Sequence, residues 1–244
     1  MANIAARLTL LIAVSSIVLV ACQHRTAPAP TIAPSEFPPN FPAQFYANEP
    51  ADTVYRVVAA RSSLLVNVYR AGPLAALGHN HVVTSAATDG FVYLPNDLAH
   101  ARADLFVPVD SFVVDDPAVR AAAGPDFATQ PSASDIAGTR EHMLGSSLLD
   151  AADHPFIRVH VAPLHMGEPT ARVTLTLEVC GKTATLPVDA EWHRNGRELT
   201  IGAKFSVDHA TLGLEPYTAL GGAMRVGDPI DIALTLVAAV RDAP

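Results

Sequence analysis

His79 and His81 stand two residues apart in the run Gly78-His-Asn-His-Val-Val83. In extended chain that spacing projects both imidazoles from one face, as a Zn or Cu ion requires of its ligands. A third imidazole could come from His142, His154, His160 or His165. No cysteine or carboxylate falls into a recognised metal spacing with the pair, and no His-Glu-x-x-His occurs. Hydrogen-bonded turn histidines are therefore the simpler expectation, with metal binding at His79 and His81 as the alternative. Ser146 and Ser147 lack the Gly-x-Ser-x-Gly turn of an activated nucleophile, and no Gly-x-Gly-x-x-Gly or phosphate loop is present. The pair Asp115-Asp116 reads as turn and cap residues, and Cys180 as a small hydrophobe on a strand. Nothing here favours an enzyme or calls for a cofactor.

The amino-terminal residues carry a different chemistry. One charge, Arg7, precedes the apolar run Leu8 to Val20, which ends in Leu19-Val-Ala-Cys22. Thirteen residues of helix span about 20 Å, too short for a bilayer core of about 30 Å, so the run reads as a signal sequence. Its ending resembles a bacterial lipobox, which implies cleavage after residue 21 and acylation of Cys22. Gln23 after the cysteine favours the outer membrane by the sorting rule such lipoproteins follow. The expected location is thus the bacterial envelope, lipid-anchored and facing the periplasm, with the bilayer as a partner through the anchor. If Cys22 is acylated, Cys180 has no intramolecular partner, and the domain must stand on its core without a disulfide. Residues 22–53 hold seven prolines and no apolar periodicity, and read as a partly extended spacer.

What must position these groups is a β-rich domain over residues 54–244. Half the chain is apolar, only 16% is charged, and the formal charge is −8. That composition excludes disorder, and the negative charge argues against nucleic acid or anionic lipid surfaces. Apolar residues alternate at period two: Leu64, Val66 and Val68; Leu105 and Val107; Ile157, Val159 and Val161; Leu175 and Leu177; Leu186, Val188 and Trp192; Phe205; Ile232 and Leu234. Turn signals separate the runs at Asp89-Gly90, Gly167-Glu-Pro169, Gly181-Lys182, Asn195-Gly196 and Gly227-Asp-Pro229. Nine runs emerge, or eight if the first two form one bent strand. Eight antiparallel strands with one apolar face close into a barrel, because closure removes exposed edges; a β-sandwich is the competitor. The inward residues are mostly aliphatic, so the lumen could hold one ligand. Between residues 115 and 155 the alternation stops. Ser132 or Ser134 can cap a helix reaching about Asp150, placed either across a barrel mouth or on the outer wall.

Several of these motifs, in this order, resemble the YceI-like family. The similarity runs from Tyr55-Arg-Val-Val to Ser62-Ser63, through Gly78-His-Asn-His81, Ala103 to Val109 with Asp110-Ser111, and Gly138-Thr-Arg140-Glu-His-Met-Leu144. It continues with His154-Pro-Phe-Ile157, Leu175-Thr-Leu-Glu-Val-Cys-Gly181, Leu186-Pro-Val188, Phe205-Ser206 and Leu212-Gly-Leu214. The resemblance implies an all-β, lipocalin-like antiparallel barrel with one helical insertion. It further implies a carrier that holds a polyisoprenoid, an isoprenoid quinone or a long fatty-acyl chain in the barrel interior. The sixteen alternating residues from Leu64 to Leu234 named above would then line the ligand site. His79, His81, Arg140 and His142 would supply polar groups at the mouth. A quinone-linked membrane partner and a homodimer are compatible with this reading, and a histidine-based metal or redox accessory role is the alternative. Cys180 departs from the polar residue the family has before the glycine.

Overall fold

Period-two alternation becomes a closed ladder in the computed structural model, which describes residues 37–241. The leader, Cys22 and most of the expected spacer lie outside those residues. Ten strand segments follow in chain order: β1 (Val54–Val57), β2 (Ser63–Val68), β3 (His81–Ser85), β4 (Asp89–Tyr93), β5 (Arg102–Pro108), β6 (Phe156–Met166), β7 (Thr170–Val179), β8 (Lys182–Asn195), β9 (Glu198–Val207) and β10 (Ile230–Val240). β1 and β2 are halves of one bent strand, since both pair with β10: Tyr55 opposite Val240, and Leu64 opposite Leu234. β3 and β4 are likewise halves of one strand, against β2 and β1 respectively. Eight antiparallel strands result, each paired to its neighbours in sequence order, with β10 closing the ring. The barrel expected from the alternation is therefore the observed fold, and the sandwich is not.

Asp89-Gly90, expected to be a turn, lies inside this second bent strand. Gly90 adopts φ 138°, and a β-carbon there would sit 2.1 Å from the carbonyl oxygen of Asp104 on β5. The glycine serves close approach of two backbones rather than chain reversal.

The two ends of the barrel differ. One end carries the short β6–β7 and β8–β9 reversals and the β4–β5 connection, residues 94–101. The other gathers the long connections, residues 69–80, 109–155 and 208–229, and the two-residue β7–β8 turn. At this loop end, Arg70–Ala71, Met224–Val226 and Thr218–Ala219 form a small antiparallel ribbon. The long insertion holds two helices. α2 (Pro117–Ala122) starts at the cap Asp116, whose carboxylate accepts from the N–H groups of Ala118 and Val119. α3 (Ala133–Leu144) starts at Ser132 in a reciprocal capping box with Asp135. It ends at Gly145 rather than near Asp150, because Gly145 is fully extended and residues 146–154 turn back toward the barrel.

Residues 37–53 correct the spacer expectation at its carboxyl end. α1 (Ala43–Asn48) and the residues before it pack against the outer wall of β4 and β5. Phe37 stacks on Phe41 with centroids 4.7 Å apart, and Tyr46 stacks on Phe91 at 4.9 Å. Tyr46 is fully buried, and its hydroxyl donates to the Asp104 carboxylate. Burial, reinforced by that carboxylate, drives the phenol pKa far above its ordinary value. The Arg56 guanidinium lies over Phe37 and Phe91, each at 4.7 Å, and Arg102 lies over Phe45 at 4.4 Å. Proline composition suggested a solvated chain, but Phe91 and Phe106 project outward from their strands and require a cover. Removing residues 1–53 should therefore destabilise the domain relative to removal of residues 1–36, by about 3–5 kcal/mol, the usual cost of losing a large buried aromatic. Urea unfolding of the two truncated chains measures the difference.

Candidate ligand-binding cavity

The inward faces of the eight strands do not meet. They enclose a cavity of about 1110 Å³, at the upper end of the roughly 300–1,000 Å³ usual for small-molecule sites. Of the sixteen residues expected to face the lumen, all but Leu186 line this cavity, from Leu64 on β2 round to Leu234 on β10. Leu186 points to the same side and packs against the surrounding apolar clusters without lining the open space. Valine, leucine and isoleucine are too short to reach across an eight-stranded barrel, so the interior stays open where aromatic rings would fill it.

At the hairpin end the lining includes Met166, Leu199 and Trp192. Trp192 is the only tryptophan in the chain. Its indole N–H donates to the Gly167 carbonyl at 2.7 Å, which fixes the ring against the β6–β7 reversal. At the loop end, one face of α3 (Ser134, Asp135, Gly138, Thr139, His142 and Met143) lines the cavity. The helix therefore lies across the barrel mouth rather than on the outer wall. Tyr217, from the last long connection, meets His142 edge-to-face with centroids 4.3 Å apart.

The expected mouth residues divide. His79, His81 and His142 line the cavity; Arg140 does not. The Arg140 guanidinium instead donates to the carbonyls of Asp110, at 2.8 Å, and Phe112, at 3.3 Å. It falls outside the helix stripe that faces the lumen and ties α3 to the segment after β5.

His81 is held by a buried charge cluster that the sequence did not reveal. Its Nδ1 lies 2.6 Å from Asp115 Oδ2. An ionised carboxylate only accepts, so Nδ1 carries the proton and donates. Asp115 Oδ1 accepts from the Val82 N–H at 2.9 Å and from Arg120 at 2.6 Å. Arg120, only 2% exposed, also donates to the Asn80 and Thr129 carbonyls and to the Thr129 hydroxyl. Asp116 caps a helix as expected, whereas Asp115 is the buried hub of the mouth. Burial alone would raise the Asp115 pKa. Hydrogen bonds from His81 and Val82 and the charges of His81 and Arg120 outweigh it and hold the carboxyl below its ordinary value.

Two buried polar atoms of cavity-lining residues lack a hydrogen-bond partner among the described residues: His79 Nδ1 and Thr88 Oγ1. The rings of His79 and His81 are 6.4 Å apart and nearly perpendicular. The third imidazoles considered for a metal site do not join them as a ligand group. His160 pairs with Asp104 at 2.8 Å on the outer wall, and His165 is exposed on β6. His154 approaches Asp150 and Cys180 instead. Cys180 itself lies on the β7–β8 turn and is half-buried, not a buried strand residue.

An antiparallel eight-stranded barrel, closed on itself, with an apolar lumen and a polar mouth, is the architecture of lipocalin-like binding proteins. The YceI-like domain family model matches residues 55–238, and the chain belongs to that family, a family of binding proteins known for polyisoprenoid-binding barrels. Among solved structures, Burkholderia cenocepacia BcnA superposes with a TM-score of 0.54 at 17% identity, covering 74% of this chain and 98% of BcnA. The Campylobacter jejuni YCEI protein gives a TM-score of 0.47 at 12% identity, covering 66% of this chain and 85% of its own. No curated protein matches the sequence.

The Asp115 geometry has a pH signature. Because its folded pKa is depressed, its stabilisation is complete above the unfolded carboxyl value, about 3.9, and is lost as pH falls through the lower folded value. Asp115→Ala leaves the Arg120 charge buried without its carboxylate and should cost about 3–5 kcal/mol at neutral pH. The difference from the parent chain should shrink on acidification below about pH 4. Urea midpoints near neutrality and in acid check both the size and the sign.

Proposed function

We propose that the lumen holds one long-chain isoprenoid or fatty-acyl lipid, with the tail in the barrel and the polar head at the loop end. The observation that carries this reading is the open cavity of about 1110 Å³, lined mainly by aliphatic side chains. Each methylene moved from water into such surroundings gains roughly 0.8 kcal/mol, so on the order of fifteen carbons contribute about 12 kcal/mol before ordering costs. Affinity needs no precise polar contacts, whereas selection among lipids does. His79 Nδ1, buried and unpartnered, is the group we assign to the head of the ligand, with His81 beside it.

In this reading the protein is a carrier of the bacterial envelope. Acyl chains on Cys22, the new terminus once residues 1–21 are removed, tether it to the outer membrane, and the barrel faces the periplasm, where it receives or delivers lipid. That placement rests on the lipobox-like motif. The alternative of a metal or redox centre at His79 and His81 gains no support from the geometry: no third donor joins them among the described residues.

Trp192 provides the assay, since it lines the cavity and is the only indole in the chain. Titration with a long-chain isoprenoid alcohol or quinone should change its emission and saturate at one ligand per chain. Leu177→Glu should abolish uptake in a variant that keeps its strand content, because a carboxylate at that position faces the tail. His79→Ala should weaken an isoprenoid alcohol by roughly 5–10-fold, the worth of about one hydrogen bond, and leave a bare hydrocarbon unaffected. Unchanged lipid binding in folded Leu177→Glu would place the ligand outside the barrel.

A further inference from the structure

At the loop end but outside the lumen, three side chains of different donor chemistry converge. Asp150, His154 and Cys180 each offer one ligand atom, and these atoms all lie within 4.8 Å of one another. No other trio of histidine, cysteine or carboxylate donors is so placed among the described residues. None of the three lines the cavity, and none has a side-chain hydrogen bond among the described residues.

Local structure explains the convergence. After α3 the chain turns back, with the Asp150 N–H donating to the Gly145 carbonyl at 2.9 Å and the His154 N–H to the Asp150 carbonyl at 2.7 Å. Asp150 and His154 are thus four residues apart across one turn, a spacing that places two ligands side by side. Cys180 comes from a different element. Val179 pairs with Lys182, so Cys180 and Gly181 are the two central residues of a hairpin, with φ of 49° and 68°. Positive φ at both positions ordinarily selects Asn or Asp followed by Gly. Glycine suits the positive φ here, and a β-carbon on it would lie 2.7 Å from His154 Cε1, so the ring would have to move away. Its bare backbone lets the imidazole rest on the turn beside the cysteine, where a thiol replaces the usual turn amide or carboxylate.

We propose that Asp150, His154 and Cys180 form a binding site for a borderline divalent cation of the Zn(II) type. Thiolate, imidazole and carboxylate are the donors that ion takes, and three protein ligands leave a fourth position for water. Tetrahedral coordination would bring the donors to about 3.5 Å of one another, given metal–ligand bonds of roughly 2.0–2.3 Å. Side-chain rotation of about 1 Å closes that gap. On binding, the Cys180 thiol loses its proton to solvent and its sulfur lone pair joins the metal; no redox change is involved. The ion would fasten the segment that follows α3 to the β7–β8 turn, and so anchor the helix that crosses the cavity mouth. The site does not depend on what the lumen holds.

The test uses the full chain in detergent, reduced, stripped with a chelator and titrated with Co(II) under argon. A thiolate-to-cobalt charge-transfer band in the near ultraviolet, with intense visible d–d bands, should saturate at one equivalent and vanish on adding Zn(II). Cys180→Asn supplies the residue the turn prefers, so it should keep the parent's circular dichroism while losing the charge-transfer band. His154→Ala and Asp150→Asn should each weaken Zn(II) by at least the roughly 10–100-fold that even outer partners of a metal site cost. Cys22→Ser and the double variant His79→Ala, His81→Ala should bind as the parent does. The site is disproved if the folded parent shows no thiolate band, if the band survives Cys180→Asn, or if it disappears with Cys22→Ser or with the His79 and His81 pair. Zn(II) affinity unchanged by His154→Ala or Asp150→Asn likewise overturns it.

Discussion

Closure of the backbone ladder is the constraint on which the molecule depends. Each of the eight strands spends its hydrogen bonds on two neighbours, and β10 returns to pair with both halves of the first strand. That ring fixes the interior width independently of the side chains that fill it. With aliphatic residues pointing inward, the walls cannot collapse on one another without breaking ladder bonds. An apolar void survives because the hydrogen bonds around it are worth more together than the contacts it forgoes. Water gains little in such a space, and a hydrocarbon chain gains much.

The same ring concentrates polar chemistry at one end. The other end has two short reversals and residues 94–101, so most of the residues free to vary lie in the three long connections. There, the Asp115 carboxylate gathers His81, the Val82 amide and Arg120 into one buried cluster, which holds the Gly78 to His81 run against the lumen. Arg120 reaches from that cluster to Thr129, and Arg140 ties α3 to residues 110–112. The two arginines thus serve to position the mouth, where His79, His81 and His142 line the cavity. Asp150, His154 and Cys180 stand at the foot of the same helical segment, where it rejoins the barrel wall.

Part of this structure is legible in the chain itself. The strands are, because alternation of Leu64, Val66 and Val68, or of Ile157, Val159 and Val161, is a local property of chain geometry. The α3 cap is also legible, since Ser132 and Asp135 sit three residues apart. The outer cover at Phe37 to Tyr46 was hidden by its prolines, although Phe91 and Phe106, apolar on a face expected to be wet, carried a readable sign of it. Arg140 lies off the mouth, which the chain could not foretell because sequence gives a residue's element but not which flank of a helix meets its neighbour.

Sequence alone therefore determined the alternating strands and the aliphatic character of their inward face, and favoured a barrel over a sandwich, since these follow from period two, turn residues and edge closure. Only tertiary structure decided that the lining leaves a void, that α3 spans the mouth, and that Asp115 and Arg120 are buried partners. Only tertiary structure, too, brought Cys180 beside Asp150 and His154. Those facts depend on distances between residues remote in the chain, and such distances are set by how the whole ladder closes, not by any local pattern.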